Sequence, residues 1–541
     1  MWQLVTSVLP RCRGARARDL LPRVARRSIR TGFFPDDEDF IDPEGPVLAD
    51  HINGRWRHMD DPTLRANILE RSNVGMGMLV INRASGFDLS SVNDLYRRLR
   101  DLEVNSLKRF VGLAAMEPGP FSIGLDPKEL LLAAVCASKY KALPRFSRAL
   151  LWNSQELAHL VADYRKPVVC HLSGVAHDGG AALACLSSFS GAFHDSELSV
   201  RACRYGMVPM GGMTYVLASL KWELGAFLAL TGWPIKGAEL VALGLVEHWL
   251  SPEALPFLEL TAEKQLEVSE ADAAHLLREH SLPLPEDGDL FQVKEEGSGF
   301  KRRYIPLIAE VFGQETLPLI REALKKAIQR ERFSQNEEFL QECEKALDQV
   351  DDRAAWTTLR LIQLAQAEQV KHRRWVQDAK ATARSSPRSW VNPDILASVL
   401  RRELWAQQEL LKHQDAPKNL HAAITDSLDS RQGAPKQRNP KLLKEDIAKV
   451  AEPPKDFIFA IPERSEISLS SHPRLRKFHP DYDPRTGLDH DPDWMRQEAA
   501  RWHPKLFEKE RERAVEDLLG DRDPSAFGLS RWVRVEPRRT M

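Results

Sequence analysis

A pair of glycines at the start of a helix-like segment is the first feature of this sequence that could do chemistry. The segment HDGG (177–180) follows an apolar stretch and precedes a run of small residues. Glycine lets the backbone approach a ligand closely, and the first N–H groups of a helix point toward that ligand with the positive end of the helix dipole. Such a site suits a phosphate or a developing oxyanion, although many turns between a strand and a helix use glycine only to turn.

Strand-like and helix-like segments alternate around this glycine pair. Short apolar runs predict strands, and apolar residues at helical spacing predict helices. The alternation predicts an α/β fold with a mostly parallel sheet. Strands are predicted at 76–83, 109–116 and 166–176, helices at 90–105 and 150–164, and a glycine loop that runs into a helix at 177–193.

The second half of the chain is predicted to be helical. Apolar stripes at helical spacing run through 315–332, 334–350 and 354–370. Ser334 and Glu337 have the spacing of a capping box, which predicts that the second of these helices begins there. Such stripes are more typical of a hydrophobic core than of a ligand site.

The composition of the 541 residues is that of a globular protein and excludes some functions. The formal net charge of −1 gives no global reason to expect nucleic-acid or membrane binding. No run of about 18 apolar residues is present, so a membrane-spanning helix is not expected. The cysteines form no CxxC pair and predict buried free thiols, without disulfides or a zinc site; they are Cys12, Cys136, Cys170, Cys185, Cys203 and Cys343.

The first thirty residues differ from the rest of the chain. Eight arginines and one acidic residue, Asp19, are interspersed with apolar residues, and an acidic extension at 31–69 follows. An arginine-rich, acid-poor amphipathic start is typical of a mitochondrial presequence. The alternatives are a disordered basic tail or an RNA-binding arm. We favour a presequence at 1–30 and a location in the mitochondrial matrix.

Four segments in this order resemble the crotonase (enoyl-CoA hydratase/isomerase) superfamily, and within it 3-hydroxyisobutyryl-CoA hydrolase. They are INR (81–83), GPFSIGLDPKEL (119–130), KPVVCHLSGVAHDGGAAL (166–183) and ALTGWPIKGAELVALGLVEHWL (229–250). The resemblance implies a crotonase-like spiral ββα core at 70–260 and a helical C-terminal part at 261–413. Beyond them lies a long extended, partly helical tail at 414–541.

The resemblance also implies where the site residues lie. Two backbone N–H groups of this family form an oxyanion hole, and the matching residues here are Leu125 in FSIGLD (121–126) and Gly179. The first glycine of the family's loop is replaced by Asp178. A carboxylate there opposes an oxyanion and crowds a place where only glycine leaves room, so we expect a vestigial hole that is damaged or closed.

The positions of the family's catalytic acids hold no acids. Aligning RACRYGMVPMGGM (201–213) on its Gly206 and Pro209 puts Ala202 at the glutamate and Met210 at the aspartate of the hydrolases. The second glutamate of the hydratases corresponds to Ala182. Because a general acid or base must lie within about 3 Å of its proton, the loss predicts a pseudoenzyme without catalytic residues.

Nearby residues offer a weak alternative chemistry. Cys203 as nucleophile with His177 as base can be imagined, but only Arg201 and Arg204 could lower the pKa of that thiol. For Glu117 and His194 a surface position is the better interpretation. No cofactor or metal is expected, and residual binding of coenzyme A stays open but doubtful because of Asp178.

Two functions therefore remain. The first is a structural protein, and the resemblance supplies a candidate, since hydrolase-like proteins occur in the small subunit of some mitochondrial ribosomes. The second is an active acyl-CoA hydrolase or hydratase of the valine-degradation type with altered catalytic residues. Spaced aromatic anchors from Phe457 to Trp532 favour a tail that binds ribosomal proteins or rRNA, together with 31–69. A solvated tail is the simpler alternative.

Overall fold

The computed structural model describes residues 67–454 with gaps at 73–74, 84–85, 117–118, 141–142, 252–253, 255–269, 285–299, 380–390 and 427–443, together with residues 457, 482–483 and 488–489. Several parts of the chain discussed above lie outside the described residues. They are the predicted presequence, the acidic extension up to residue 66, Cys12, Glu117 and most of the tail beyond Phe457.

Two sheets organise the first half of the described chain. The main sheet has the order β1-β2-β3-β4-β6-β9, in which only β1 and β2 pair antiparallel, and the second sheet has the order β5-β7-β8. The predicted α/β fold with a mostly parallel sheet is confirmed. The strands are β1 Ile68–Ser72, β2 Gly75–Ile81, β3 Lys108–Ala115, β4 Val168–Leu172, β5 Val175–His177, β6 Phe189–Ala192, β7 Glu197–Ser199, β8 Ile235–Lys236, β9 His248–Trp249, β10 Tyr482–Asp483 and β11 Leu488–Asp489.

Helices cover the sheets and make up most of the described residues of the second half. None of those in the described part of the chain is long and apolar enough to cross a membrane. They are α1 Leu89–Val104, α2 Pro127–Tyr140, α3 Arg145–Ala162, α4 Asp178–Leu186, α5 Met213–Ser219, α6 Leu224–Thr231, α7 Ala238–Ala242, α8 Glu270–Glu279, α9 Ile305–Phe312, α10 Leu317–Arg330, α11 Glu337–Gln349, α12 Asp352–Ala379, α13 Pro393–Leu411, α14 Ala416–Asp426 and α15 Lys444–Ala451.

Three sequence predictions need correction at their boundaries. The run predicted as one strand at 166–176 forms β4 and β5 in different sheets, because Gly174 turns the chain with a φ of +67°. The helix predicted at 177–193 ends at Leu186, where the Ser187 hydroxyl donates to the Leu183 carbonyl at 2.7 Å. The helix predicted from Ser334 begins at Glu337, and the Glu337 carboxylate accepts from the Phe333 N–H instead.

One hydrophobic core joins the sheets to the C-terminal helices. It runs from Leu79 and Val111 in the main sheet to an aromatic group in the helical part. In that group the ring centroid of Phe227 lies 5.3 Å from that of Phe312 and 5.9 Å from that of Phe339. Five of the six cysteines are described, and all five are buried free thiols as predicted.

The segment that begins at residue 414 also packs against the folded part of the protein. Leu420 of α14 and Ile447 and Ala451 of α15 are buried. Phe457, one of the aromatic residues assigned to partner binding, packs against Trp405 of α13 with ring centroids 5.0 Å apart. The described start of this segment therefore packs against the rest of the protein.

A buried glutamate of α13 holds the turn that leads into α5. The Glu403 carboxylate accepts from the N–H groups of Gly212 at 2.8 Å and Thr214 at 3.0 Å, and from the Thr214 hydroxyl at 2.6 Å. The Gln155 side chain donates to it at 3.3 Å. These contacts give acceptors to N–H groups at the start of α5, which have no partner within the helix. Burial raises the pKa of Glu403 to about 7.

We predict that Glu403→Gln lowers the free energy of unfolding by about 2–4 kcal/mol, because the new amide N–H₂ must face a buried backbone N–H. Urea unfolding of the purified chain measures the change. Glu409→Gln on the same helix is the control, since Glu409 makes only a half-exposed contact with Lys412. We expect that control to lose less than about 1 kcal/mol. Equal losses in the two variants would contradict the role assigned to Glu403.

Candidate functional site

The segment FSIGLD (121–126) is fixed beside β5 by backbone hydrogen bonds. Ser122 accepts from the His177 N–H at 2.8 Å and donates to the Val175 carbonyl at 3.2 Å. Gly124 has a φ of +80°, and a Cβ atom there would lie 3.3 Å from the His177 carbonyl oxygen. Glycine therefore lets the turn approach the start of α4 closely, which brings Leu125 to the glycine pair.

The glycine pair packs against the same turn. A Cβ atom on Gly180 would lie 2.5 Å from Cβ of Ser122, so the close approach requires glycine. Among the described residues, the N–H groups of Leu125 and Gly179 have no protein acceptor. Two unpaired N–H donors on neighbouring turns can together receive a carbonyl oxygen or an oxyanion.

Both residues line a cleft that encloses about 700 Å³ of empty space, part of it open to solvent. Its walls are mainly apolar and include Phe87, Ile123, Leu130, Leu157 and Leu183. Its polar side chains are Ser154, Asp178, Tyr205 and Gln407. The expected closure of the hole is not what the structure shows, because Leu125 and Gly179 both face this space.

The three predicted acid positions lie at this cleft or beneath it and are apolar. Ala202 and Met210 line the cleft and are 3 % and 6 % exposed. Ala182 is fully buried below Gly211, whose added Cβ atom would lie 3.7 Å from Cβ of Ala182. Methyl and thioether groups hold no exchangeable proton, so none of these positions can act as a general acid or base.

The carboxylate of Asp178 accepts hydrogen bonds from backbone N–H groups. Its Oδ1 atom accepts from the N–H groups of Arg201 and Ala202, both at 3.0 Å. The residue has a φ of +45°, which turns its side chain toward the 3-10 turn Ala202–Tyr205. Asp178 therefore caps that turn and holds Ala202 in place through its backbone N–H group.

Burial raises the pKa of Asp178 from 3.8 to about 6, against the two backbone N–H groups and Arg201, which lower it. The folded state therefore binds this proton more tightly than the unfolded chain does. Its contribution to stability is complete below about pH 4 and declines as the pH rises toward about 6.

His177 and Cys203 do not form a nucleophile and base pair. His177 Nδ1 lies 2.7 Å from the Ser199 hydroxyl, and burial together with Arg201 lowers the pKa of His177 to about 3. The Cys203 thiol is buried and donates to the Thr358 hydroxyl at 3.4 Å, and burial raises its pKa to about 12. Neither residue lines the cleft. His194 is exposed at the end of β6.

Sequence reasoning missed three residues that position the site. Glu403 binds the turn at 212–214, Gln155 Oε1 accepts from the Gly211 N–H at 2.9 Å, and Gln407 Oε1 accepts from the Val208 N–H at 3.1 Å. A signal was present, because Glu403 and Gln407 interrupt the apolar stripe of α13 at positions that face the core.

In the described part of the chain, no group of three or more His, Cys, Asp or Glu side chains could hold a metal ion.

We predict that Asp178→Asn stabilises the protein near neutral pH. Asparagine keeps the Oδ1 acceptor, tolerates a positive φ and removes a buried charge. The free energy of unfolding of the variant relative to the unsubstituted chain should rise by about 2–3 kcal/mol between pH 4 and pH 7. Urea unfolding at the two pH values measures this.

Asp178→Ala is the matched variant, since it removes the acceptor and keeps the unfavourable φ. We expect it to be less stable than the unsubstituted chain at pH 4 and pH 7. An Asp178→Asn protein that unfolds more easily than the unsubstituted chain at pH 7 would contradict the capping role.

Solved structures share this architecture. The chain superimposes on a carnitinyl-CoA dehydratase from Mycobacterium thermoresistibile with a TM-score of 0.56 and 18 % identity, covering 73 % of this chain and 99 % of that one. An enoyl-CoA hydratase from Rhodobacter sphaeroides 2.4.1 gives a TM-score of 0.54 and 20 % identity, covering 72 % and 98 %. At such identities the likeness shows the fold alone.

Curated relatives are similar in sequence. The mitochondrial 3-hydroxyisobutyryl-CoA hydrolase of Mus musculus is 26 % identical over 266 residues, which are 48 % of this chain and 67 % of the relative. Small ribosomal subunit protein mS47 of Arabidopsis thaliana is 29 % identical over 179 residues, 33 % of this chain and 41 % of the relative. The family model described as enoyl-CoA hydratase/isomerase matches residues 77–452. Because this match covers well over half of the chain, the protein belongs to the enoyl-CoA hydratase/isomerase family of the crotonase superfamily.

Proposed function

We propose that this protein is a non-catalytic member of its family and serves as a structural component of the small subunit of the mitochondrial ribosome. The observation that carries the first half is the chemistry of three positions. Ala182, Ala202 and Met210 stand where the resemblance places the family's acids, and all three are buried. Losing one positioned acid typically lowers a rate by a factor of about 10²–10⁴.

Two of the carboxylates near the cleft support this proposal. Asp178 and Glu403 are buried and already accept hydrogen bonds from backbone N–H groups. A catalytic acid must exchange its proton with substrate or solvent, and leaving these N–H groups without acceptors would cost about 1–3 kcal/mol each. Both side chains are therefore suited to hold the backbone of 201–214 and not to transfer protons.

The ribosomal half of the proposal is supported by similarity and by the parts of the sequence outside the family match. A relative at 29 % identity is named as a small ribosomal subunit protein. The arginine-rich start at 1–30 favours import into mitochondria, where the name of the mouse hydrolase also places that relative. In this proposal the protein resides in the matrix, and 31–69 and the tail from Ile458 contact ribosomal proteins or rRNA.

A second candidate is an acyl-CoA hydrolase or hydratase with altered catalytic residues. The unpaired N–H groups of Leu125 and Gly179 beside an apolar cleft favour it, because they could still polarise a thioester carbonyl. The two candidates differ in whether the chain migrates with ribosomal subunits and in whether it turns over a thioester.

We expect the full-length chain to sediment with the small ribosomal subunit when mitochondrial lysate is fractionated on a sucrose gradient. EDTA separates the two subunits, and the chain should stay with the small one. A matrix enzyme detected in the same fractions serves as the control for trapped soluble protein. Migration as a free oligomer in both gradients would contradict the ribosomal proposal.

Cys203→Ala tests whether a thiol has replaced the acids. We expect any thioester hydrolysis by the purified chain to stay within about twofold of the unsubstituted rate, because a thiol whose pKa is about 12 holds very little thiolate at neutral pH. Release of coenzyme A from 3-hydroxyisobutyryl-CoA measures the rate. Cys343→Ala, which also removes a buried thiol, is the matched control. A loss of activity confined to Cys203→Ala would favour the second candidate.

A further inference from the structure

Phe333 is the most exposed large apolar side chain of the described residues. It is 87 % exposed and follows the C-terminal end of α10. Its φ is +67°, in the left-handed region that glycine or asparagine usually occupies after a helix. The Glu337 carboxylate accepts from its N–H at 2.7 Å, which fixes the backbone of the turn.

Positively charged side chains lie at this turn. The guanidinium carbon of Arg332 lies 5.1 Å from the ring centroid of Phe333. The exposed run Lys301, Arg302 and Arg303 lies next to the same turn, because Arg303 donates to the Gln335 carbonyl at 2.9 Å. We call Lys301, Arg302, Arg303, Arg332 and Phe333 the Phe333 surface.

Of the neighbouring carboxylates, that of Glu337 accepts from the Phe333 N–H, and those of Glu310 and Glu331 contact Arg330. Glu310 forms a two-pronged contact with Arg330 at 2.7 and 2.8 Å, and Glu331 contacts Arg330 at 3.4 Å. Among the described residues, Lys301 and Arg332 form no ion pair. The surface therefore combines an exposed aromatic face with exposed cations, two of which, Lys301 and Arg332, form no ion pair among the described residues.

We propose that the Phe333 surface binds single-stranded RNA, with one base stacked on Phe333 and the adjacent phosphates on Arg332 and the 301–303 cations. Aromatic faces flanked by cations are the arrangement by which proteins hold unpaired nucleotides. An acidic protein surface would pair with the cations and would leave the ring uncovered, so RNA accounts for both features. The assignment of this RNA to the ribosome rests on the proposed function.

Binding of a fluorescein-labelled dodecamer of uridylate to the purified full-length chain tests the surface directly. Phe333→Gly should weaken binding about tenfold, since stacking on one aromatic ring contributes that much or more. Because glycine adopts the left-handed conformation freely, we expect the thermal midpoint of this variant not to fall. Arg332→Ala should lower the slope of log K against log salt concentration by about 1.

Leu319→Ala is the matched control, because Leu319 is also an exposed apolar residue of this region, at 43 % exposure on α10. We expect it to bind the oligonucleotide as the unsubstituted chain does. Equal affinity of the Phe333→Gly and unsubstituted proteins would overturn the proposal.

Photocrosslinking in gradient-purified small subunits that contain 4-thiouridine tests the same contact in the assembly. We expect a nucleotide adduct on the tryptic peptide FSQNEEFLQECEK (333–345). Particles in which nucleotide adducts form on other peptides of this chain but not on 333–345 would overturn the RNA assignment. Failure of the chain to sediment with the subunit would instead overturn the proposed function, while oligonucleotide binding that depends on Phe333 would leave the RNA surface standing.

Discussion

The buried backbone of 201–214 must find hydrogen-bond acceptors, and the rest of the site depends on how it does so. Side chains of α3, α4 and α13 supply them. The acceptors are Asp178 for the N–H groups of Arg201 and Ala202, Gln407 for Val208, Gln155 for Gly211, and Glu403 for Gly212 and Thr214. Because unpaired buried N–H groups are costly, this set keeps the segment beside the glycine pair without help from a substrate.

The same hydrogen bonds hold the backbone of the site in place, but they also occupy carboxylates that could otherwise transfer protons. The turn at Leu125 and the start of α4 at Gly179 keep two unpaired donors beside an apolar cleft, as an acyl-binding site requires. Two of the buried carboxylates nearby, Asp178 and Glu403, accept hydrogen bonds from backbone N–H groups. A chain of this kind can keep its family's fold under selection for a different use of its surface, since fold alone does not determine function. Our proposal assigns that use to the ribosome.

Local patterns in the sequence predicted β2, β3, the region of β4 and several helices, but they did not predict β1, β6, β7, β8 or β9. The alternation of β2, α1, β3 and α3 is set by residues close in the chain. The assignment of Ala202 and Met210 to the positions of the family's acids stays a prediction from the resemblance. The direction of the Asp178 side chain was not predictable, because it depends on a φ of +45° that sequence alone does not reveal for a non-glycine residue. Glu403 acts across 191 residues, and only the break in the stripe of α13 hinted at it.

The most direct test of the account is the rate at which the purified full-length chain hydrolyses 3-hydroxyisobutyryl-CoA, measured beside the mouse hydrolase to which it is similar. Because Ala182, Ala202 and Met210 cannot act as acids, we predict a rate at least about 10⁴-fold below that of the mouse enzyme. A rate within about a hundredfold of that enzyme would show that another group of this chain carries out the proton transfers, and would contradict the account.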